Sequence, residues 1–484
     1  MNRRNFLKGC VGFSALAAMR GFGITNLAYA GEPRIANRKS QTQNDLLVYV
    51  FVRGGMDGLN LVTPFNTSRA DRDAYYGKLR PRLNIPAPNS SATRKLADLD
   101  GKFGLHPDAC RGMRGVNTPK QTATDTGGLL ALYRSGDLAI VHAAGSPHGT
   151  GSHFDTQLYV DVGNTTSTSG WATRYLQSMH TPEDALVMSP EQPLPLSLGE
   201  WYSTTAVPNA DAFGPRWGGG DADYADKLVK LQRAALQPMF DSVDRITGDD
   251  FVGAIGRNAF RSLDPLREVF DTSYSPAVAY LTADDTPDNG TFGRAMQTIA
   301  RLAKSKLANP LRLACVDVGG GWDTHDNQGT IEPGGRYSEL VRNLSTNLKA
   351  FHDDMSADAN WSGRFTVVVL SEFGRVSYAN DSNGCDHGSG NALFVIGNAN
   401  VNGGRVYADW PGLEPLGFND GLRITTDYRR VLAEVLTTRM GATRQQVNET
   451  IFPGLNYAAP LGLVKPGLAA PASPHGRLPV VSAA

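Results

Sequence analysis

Cysteine is scarce in this chain, four in 484 residues, and no Cys-x-x-Cys pair occurs. That excludes a disulfide framework and a cysteine-built zinc or dithiol redox centre. Cys10 lies in the leading segment, so Cys110, Cys315 and Cys385 remain, an odd number that leaves at least one thiol unpaired. Cys315 sits in the apolar run Leu313-Ala314-Cys315-Val316 and reads as core. Cys385, beside Asp386, is a candidate ligand or reactive thiol, with a plain structural role weighing more. An excess of charge is lacking too: 47 basic residues face 47 acidic ones. Such a balance offers no electrostatic reason to bind nucleic acid or an anionic membrane. No segment reaches 18 consecutive apolar residues, so no stable membrane span is expected and the mature chain should be soluble. Internal repeats and low-complexity tracts are also missing.

What is abundant is glycine, 53 residues, with 28 prolines. That composition suits an enzyme with long loops over a sheet, and the length allows one large domain or two ordinary ones. Residues 1–30 read as an address. Asn2-Arg3-Arg4-Asn5-Phe6-Leu7-Lys8 has the pattern of a twin-arginine export signal, and Ala28-Tyr29-Ala30 offers small residues before a cleavage site. The implied partner is the twin-arginine translocase, and the implied location is periplasmic or secreted. Residues 31–45 read as a flexible leader. Residues 46–457 read as one α/β domain, with about 180–310 a possible helical insertion or cap. The Pro-, Ala- and Gly-rich stretch 458–484 reads as a loosely ordered tail.

Within the domain, continuous apolar runs predict strands covered on both faces: Leu46–Val52, Leu138–Ala143, Leu311–Val318, Phe365–Leu370 and Ala392–Gly397. Helical periodicity predicts helices over Leu129–Arg134, Gly170–Leu176, Leu228–Phe240, Phe292–Leu307, Tyr337–Met355 and Ile424–Leu436. The expected architecture is three-layered, a mostly parallel sheet with helices on both faces. Chemistry collects at the carboxyl ends of strands in such sheets. Four loops there carry acids and histidines. Arg53-Gly54-Gly55-Met56-Asp57-Gly58 follows the first strand, and a plain turn explains it as well as a metal site does. Gly145 to Asp155 includes Thr150, Ser152 and His153 at a helix start. Either hydroxyl is a candidate nucleophile, with His153 or a metal activating it, although Ser152 reads equally well as a helix cap. Gly321-Trp322-Asp323-Thr324-His325 pairs a hard oxygen with an imidazole. Ser371-Glu372-Phe373-Gly374-Arg375 and Cys385-Asp386-His387 flank the last two strands. The candidate ligands for a divalent metal (zinc, magnesium, manganese or calcium) are Asp57, Asp323, His325, Glu372, Asp386 and His387. Arg53 and Arg375 are candidates to stabilise charge on a transferring group.

Arg-Gly-Gly-x-Asp-Gly-Leu-Asn (53–60), Gly-Ser-His-Phe-Asp (151–155), Gly-Gly-Trp-Asp-Thr-His (320–325), Ser-Glu-Phe-Gly-Arg (371–375) and Asp-His-Gly-x-Gly-Asn (386–391) occur in this order. With Trp410–Leu413, Thr426–Arg429 and Phe452–Gly454, the set resembles the bacterial family called domain of unknown function 1501, over about 46–456. That family is distantly similar to the alkaline phosphatase–sulfatase superfamily. The resemblance implies an alkaline-phosphatase-like fold, metal binding by Asp57, Asp323, His325 and His387, and a nucleophile at Ser152 or Thr150. It departs where the superfamily has Asp-His and this chain has Ser371-Glu372. No Cys-x-Pro-x-Arg sequence occurs, which argues against a formylglycine sulfatase. The function implied is exported, metal-dependent hydrolysis of phosphate or sulfate esters, on a small-molecule or glycan substrate. A catalytically silent exported protein that binds metal, glycan or a partner is the alternative. A sugar-phosphate isomerase or mutase is a third, and export argues against it.

Overall fold

Seven apolar residues, Leu46–Val52, form the central strand β1, and every one of them is buried. Their side chains alternate between two cores. Val48, Val50 and Val52 pack into one cluster, and Leu47, Tyr49 and Phe51 into another. A strand apolar at every position is what a sheet covered on both faces requires. Each fully buried aliphatic or aromatic side chain contributes about 1.5–3 kcal/mol.

The computed structural model describes residues 45–110, 127–179, 186–189, 195–199, 204–206 and, with small gaps, 266–466. The expected export signal and leader, all but one residue of the helix expected at 228–240, and most of 180–310 fall outside the described residues. The strands after β1 are β2 Val62–Thr63, β3 Ala97–Asp98, β4 Gly104–Leu105, β5 Leu138–Gly145, β6 Leu186–Ser189, β7 Thr204–Ala206, β8 Leu311–Val318, β9 Phe365–Ser371, β10 Asn391–Gly397, β11 Arg405–Tyr407 and β12 Thr426–Asp427. Nine of them make one sheet in the order β11-β5-β10-β9-β1-β8-β6-β7, with β12 also on β5. The pair β6 and β7, unforeseen in the sequence, extends the sheet beyond β8. Strands β2, β4 and β3 form a small separate sheet.

Neighbouring strands are parallel except at β10, which runs antiparallel to both β5 and β9. This reversal matters for the site. It brings the loop that leads into β10 to the edge where β1, β5, β8 and β9 end.

The longer helices are α1 Gly128–Ser135, α2 His153–Val162, α3 Trp171–Ser178, α4 Thr291–Lys304, α5 Arg336–Ser356 and α6 Tyr428–Thr438. Buried residues of α1, α4 and α5 join the Val48 cluster, and those of α3 and α6 join the Tyr49 cluster. The three-layer, mostly parallel α/β architecture read from the sequence is the observed one. Part of the stretch read as a loose tail is tied down. The Glu434 carboxylate accepts backbone N–H groups from Leu461, Gly462, Leu463 and Val464, and Leu463 is fully buried. No described helix is long and apolar enough to cross a membrane.

Candidate metal centre at the carboxyl edge of the sheet

The turn after β1 is built from close backbone approach. Gly54 and Gly55 adopt φ of +121° and +65°. A Cβ on Gly54 would lie 2.9 Å from the Asp323 nitrogen, and one on Gly55 2.5 Å from the Phe373 ring. Only glycine fits both the dihedral and the space. The loops after β1, β8 and β9 therefore meet at one point.

Four side chains converge there. Nε2 of His153, His325 and His387 lie 3.3, 3.0 and 3.2 Å from Asp323 Oδ1. His153 begins α2 after β5, Asp323 and His325 follow β8, and His387 precedes β10. Ligand atoms of His153, Asp323 and His387 all lie within 4.8 Å of one another. The His325 and His387 Nε2 atoms are 2.8 Å apart.

The outer nitrogens explain this arrangement. Each Nδ1 faces an obligatory acceptor: His153 toward Glu372 Oε1 at 2.7 Å, His325 toward Asp386 Oδ1 at 2.7 Å, and His387 toward the Gly151 carbonyl at 2.7 Å. Carboxylate and carbonyl oxygens cannot donate, so each Nδ1 carries a proton and each ring turns its Nε2 toward the group. The three Nε2 atoms and a carboxylate oxygen then crowd one another. His153 Nε2 is buried without a hydrogen-bond partner. Metal-binding histidines have this outer-nitrogen pattern. His153, Asp323 and His387 fit a divalent ion, with His325 Nε2 beside them.

Charge around the group is graded. Burial would raise the Asp323 carboxyl, but the hydrogen bond and charge of Arg375, aided by His325 and His153, hold it well below the usual carboxylate range. The Glu372 carboxyl, also opposed by burial, is held low by hydrogen bonds from His153, Gln157 and the Gly54 N–H. His153 is raised by its bond to Glu372, whereas burial lowers His387, with the charges of His153 and Arg375 adding to it.

The expected site residues separate into four groups. Asp323, His325 and His387 come together, joined by His153, which the sequence suggested as an activating base. Glu372 and Asp386 stand behind the imidazoles. Glu372 Oε1 accepts from Gly54 N, His153 and Gln157, and Oε2 from Ser371 Oγ, so its oxygens are already engaged. Asp57 is not brought into the group. Its buried carboxylate accepts from Arg80 Nη1 at 2.6 Å and Gln328 Nε2 at 2.8 Å, and it caps the turn Gly58–Leu61. Ser152 is the N-cap of α2, its hydroxyl accepting from the Asp155 N–H, and Thr150 Oγ1 accepts from the Ser152 N–H.

The two arginines expected to touch a substrate are otherwise engaged. Buried Arg375 donates to the Gly54, Gly55, Trp322 and Cys385 carbonyls and to Asp323 Oδ1 at 2.7 Å, tying the loops together. Arg53 is ion-paired with Asp161 and Asp317. The Cys385 thiol is buried and pushed up to about 12 by that burial, which suits a core residue rather than a reactive thiol. Sequence reading missed Gln157, Arg80 and Gln328. Gln157 was legible, since it follows His153 by one helical turn and so shares its face.

Fold and cluster together define an α/β protein that carries a histidine–aspartate group suited to a metal ion at the carboxyl edge of its sheet. The chain belongs to the family described as "Protein of unknown function (DUF1501)", which matches residues 44–425. This is the family that the motif set resembles. No curated protein matches the chain. Among solved structures it is similar to the C-terminal periplasmic domain of EcEptC from Escherichia coli, in complex with Zn. The TM-score is 0.30 and the identity 11%, over 80% of this chain and 81% of that one.

Proposed function

We propose that this chain is an exported, metal-dependent hydrolase of phosphate or sulfate esters. The observation that carries the reading is the convergence of three Nε2 atoms on Asp323 Oδ1, each imidazole oriented from behind by an acceptor. His153, His325, His387 and Asp323 would hold the ion, and imidazole-rich donors favour zinc over the oxygen-preferring magnesium and calcium. Bound there, a divalent ion would polarise a phosphoryl or sulfuryl oxygen and lower the pKa of a water or hydroxyl. Glu372 and Asp386 hold the tautomers of His153 and His325. Ser152 and Thr150 lie on the loop that ends at His153, which makes their hydroxyls the nearest nucleophile candidates in sequence. The first N–H groups of α2 would take up charge on the transferring group. The ester class is supported by the similarity of the motif set to the alkaline phosphatase–sulfatase superfamily.

The test is a screen of 4-nitrophenyl phosphate and sulfate with zinc-loaded protein. Hydrolysis is expected, and Ser152→Ala or Thr150→Ala should lower kcat by about 10²-fold or more if that hydroxyl attacks. Wild-type rates in both variants would remove the hydroxyl nucleophile from the mechanism. A silent, metal-binding protein is the second reading, favoured by the use of the Ser152 hydroxyl as a helix cap. No turnover of either ester by metal-loaded protein would select it.

Export by the twin-arginine translocase belongs to the proposal and rests on Arg3-Arg4 and the residues around them. Replacing both arginines by lysine should leave folded protein in the cytoplasm, read by cell fractionation. Unchanged export of that variant would contradict the route.

A further inference from the structure

Next to the metal centre lies a cleft of about 480 Å³. Glu372 and Gly388 form its side toward the cluster, since Glu372 binds His153 and Gly388 follows His387. Phe373, Phe418 and Ile424 supply apolar walls. Phe418 is 55% exposed, and Phe154, on the first turn of α2, is 88% exposed. Aromatic rings left open beside a polar cluster gain free energy when a ligand covers them.

Arg423 lines the same cleft. Arg53, Arg80, Arg375, Arg429 and Arg439 each have a carboxylate oxygen within 3.0 Å. Among the described residues Arg423 has none. It donates from Nη2 to the Pro411 carbonyl, and its Nε is buried with no hydrogen-bond partner. A buried guanidinium N–H without an acceptor is costly, and the planar fork matches an oxyanion. No metal-centre residue makes use of it.

We infer that this cleft seats the alcohol part of the ester, and that this part is an apolar, ring-bearing body with a negatively charged group that Arg423 binds. The inference rests on the hydrolase reading for the word ester, whereas the binding of an anionic ring compound does not. In the reaction, water supplies the oxygen that bonds to phosphorus or sulfur. The bond from that atom to the ring compound's oxygen breaks, and the alcohol leaves with a proton from the water. Arg423 would fix the leaving group's far end and so set specificity, without touching the reacting atoms.

The test separates binding from turnover. Calorimetry with full-length protein compares 4-hydroxybenzoate with phenol, the leaving groups of 4-carboxyphenyl and phenyl esters. The carboxylate should tighten binding about tenfold, the scale of one charged hydrogen-bonded pair. Arg423→Gln should erase that difference, Arg423→Lys should keep part of it, and Phe418→Ala should weaken both ligands. The same difference should appear in KM, not kcat, for 4-carboxyphenyl phosphate against phenyl phosphate. Arg423→Gln loses one carbonyl hydrogen bond, and an unchanged thermal melt confirms its fold. Equal binding of the two phenols by wild type, or a preference retained in Arg423→Gln, overturns the inference. Ester hydrolysis without any dependence on Arg423 also overturns it, while leaving the hydrolase reading in place. Arg423-dependent binding with no hydrolysis of phosphate or sulfate esters keeps the anionic-ring site and overturns the hydrolase reading.

Discussion

His387→Ala is expected to cost the protein its metal and leave its fold intact. Wild-type protein reconstituted with zinc should hold about one equivalent, because the ligand atoms gather around one carboxylate oxygen. Removing an orienting partner of a ligating histidine typically weakens affinity by about 10–100-fold, and removing the ligand itself should exceed that. His387 is the cleaner choice over Asp323. Its side chain bonds only to the Gly151 carbonyl and the cluster, whereas Asp323 also balances buried Arg375. Glu372→Gln should fall between wild type and His387→Ala, since it weakens the acceptor that orients His153 without removing a donor atom from the centre. Elemental mass spectrometry with a competing chelator reads all three. At a thousandfold excess of free zinc over Kd, binding should add about 4 kcal/mol to stability, a gain that His387→Ala forfeits. A well-folded wild type that takes up no metal after reconstitution would end the hydrolase proposal.

Asp57→Ala should behave in the opposite way, with a large loss of stability and retained metal. From sequence this aspartate is a candidate metal ligand. In the structure both members of the Asp57–Arg80 pair are fully buried, with 2.6 Å between nitrogen and oxygen. Arg80 also donates to the Val376 and Ser377 carbonyls, which anchors the loop after β9. Deleting the carboxylate would strand a buried guanidinium, and breaking such a pair costs about 3–5 kcal/mol. That is a large share of the roughly 5–15 kcal/mol that stabilises a typical protein. Urea unfolding measures the loss, and metal content measured on the same sample shows retention. Asp57→Leu with Arg80→Met should recover much of the stability, because exchanging a buried pair for apolar residues of similar volume is often neutral. If Asp57→Ala instead keeps its stability and loses its metal, the carboxylate belongs to the centre after all.

These two aspartates show how far residue patterns carry. Asp57 and Asp323 both follow a long apolar strand and both stand beside glycines, so local sequence treats them alike. Their fates diverge because Arg80 folds back onto one while three imidazoles reach the other. Glu372 and Asp386 were rightly placed at the carboxyl edge by their strands. Acceptance of a proton from the back of a histidine, rather than contact with a metal, depends on ring orientation, which sequence spacing does not encode. His153 was visible as chemistry but not as a member of the inner group, because its loop and that of Asp323 are joined only through the sheet.

By itself the sequence determined the five long strands, whose unbroken apolar runs demand cover on both faces, and most of the long described helices that provide it. It also determined the set of acid- and histidine-bearing loops, since those residues are costly to place inside the apolar strands. The family followed from the order of its motifs. Only the tertiary structure decided which loops meet. The reversal of β10 carries His387 to the edge where β5 and β8 deliver His153, Asp323 and His325. Strand direction is a property of pairing between distant segments, and an apolar run reads the same in either direction. The balance of charges was decided at the same level, because whether a carboxylate meets a guanidinium or a ring of imidazoles is set by distances of about 3 Å between loops far apart in the chain.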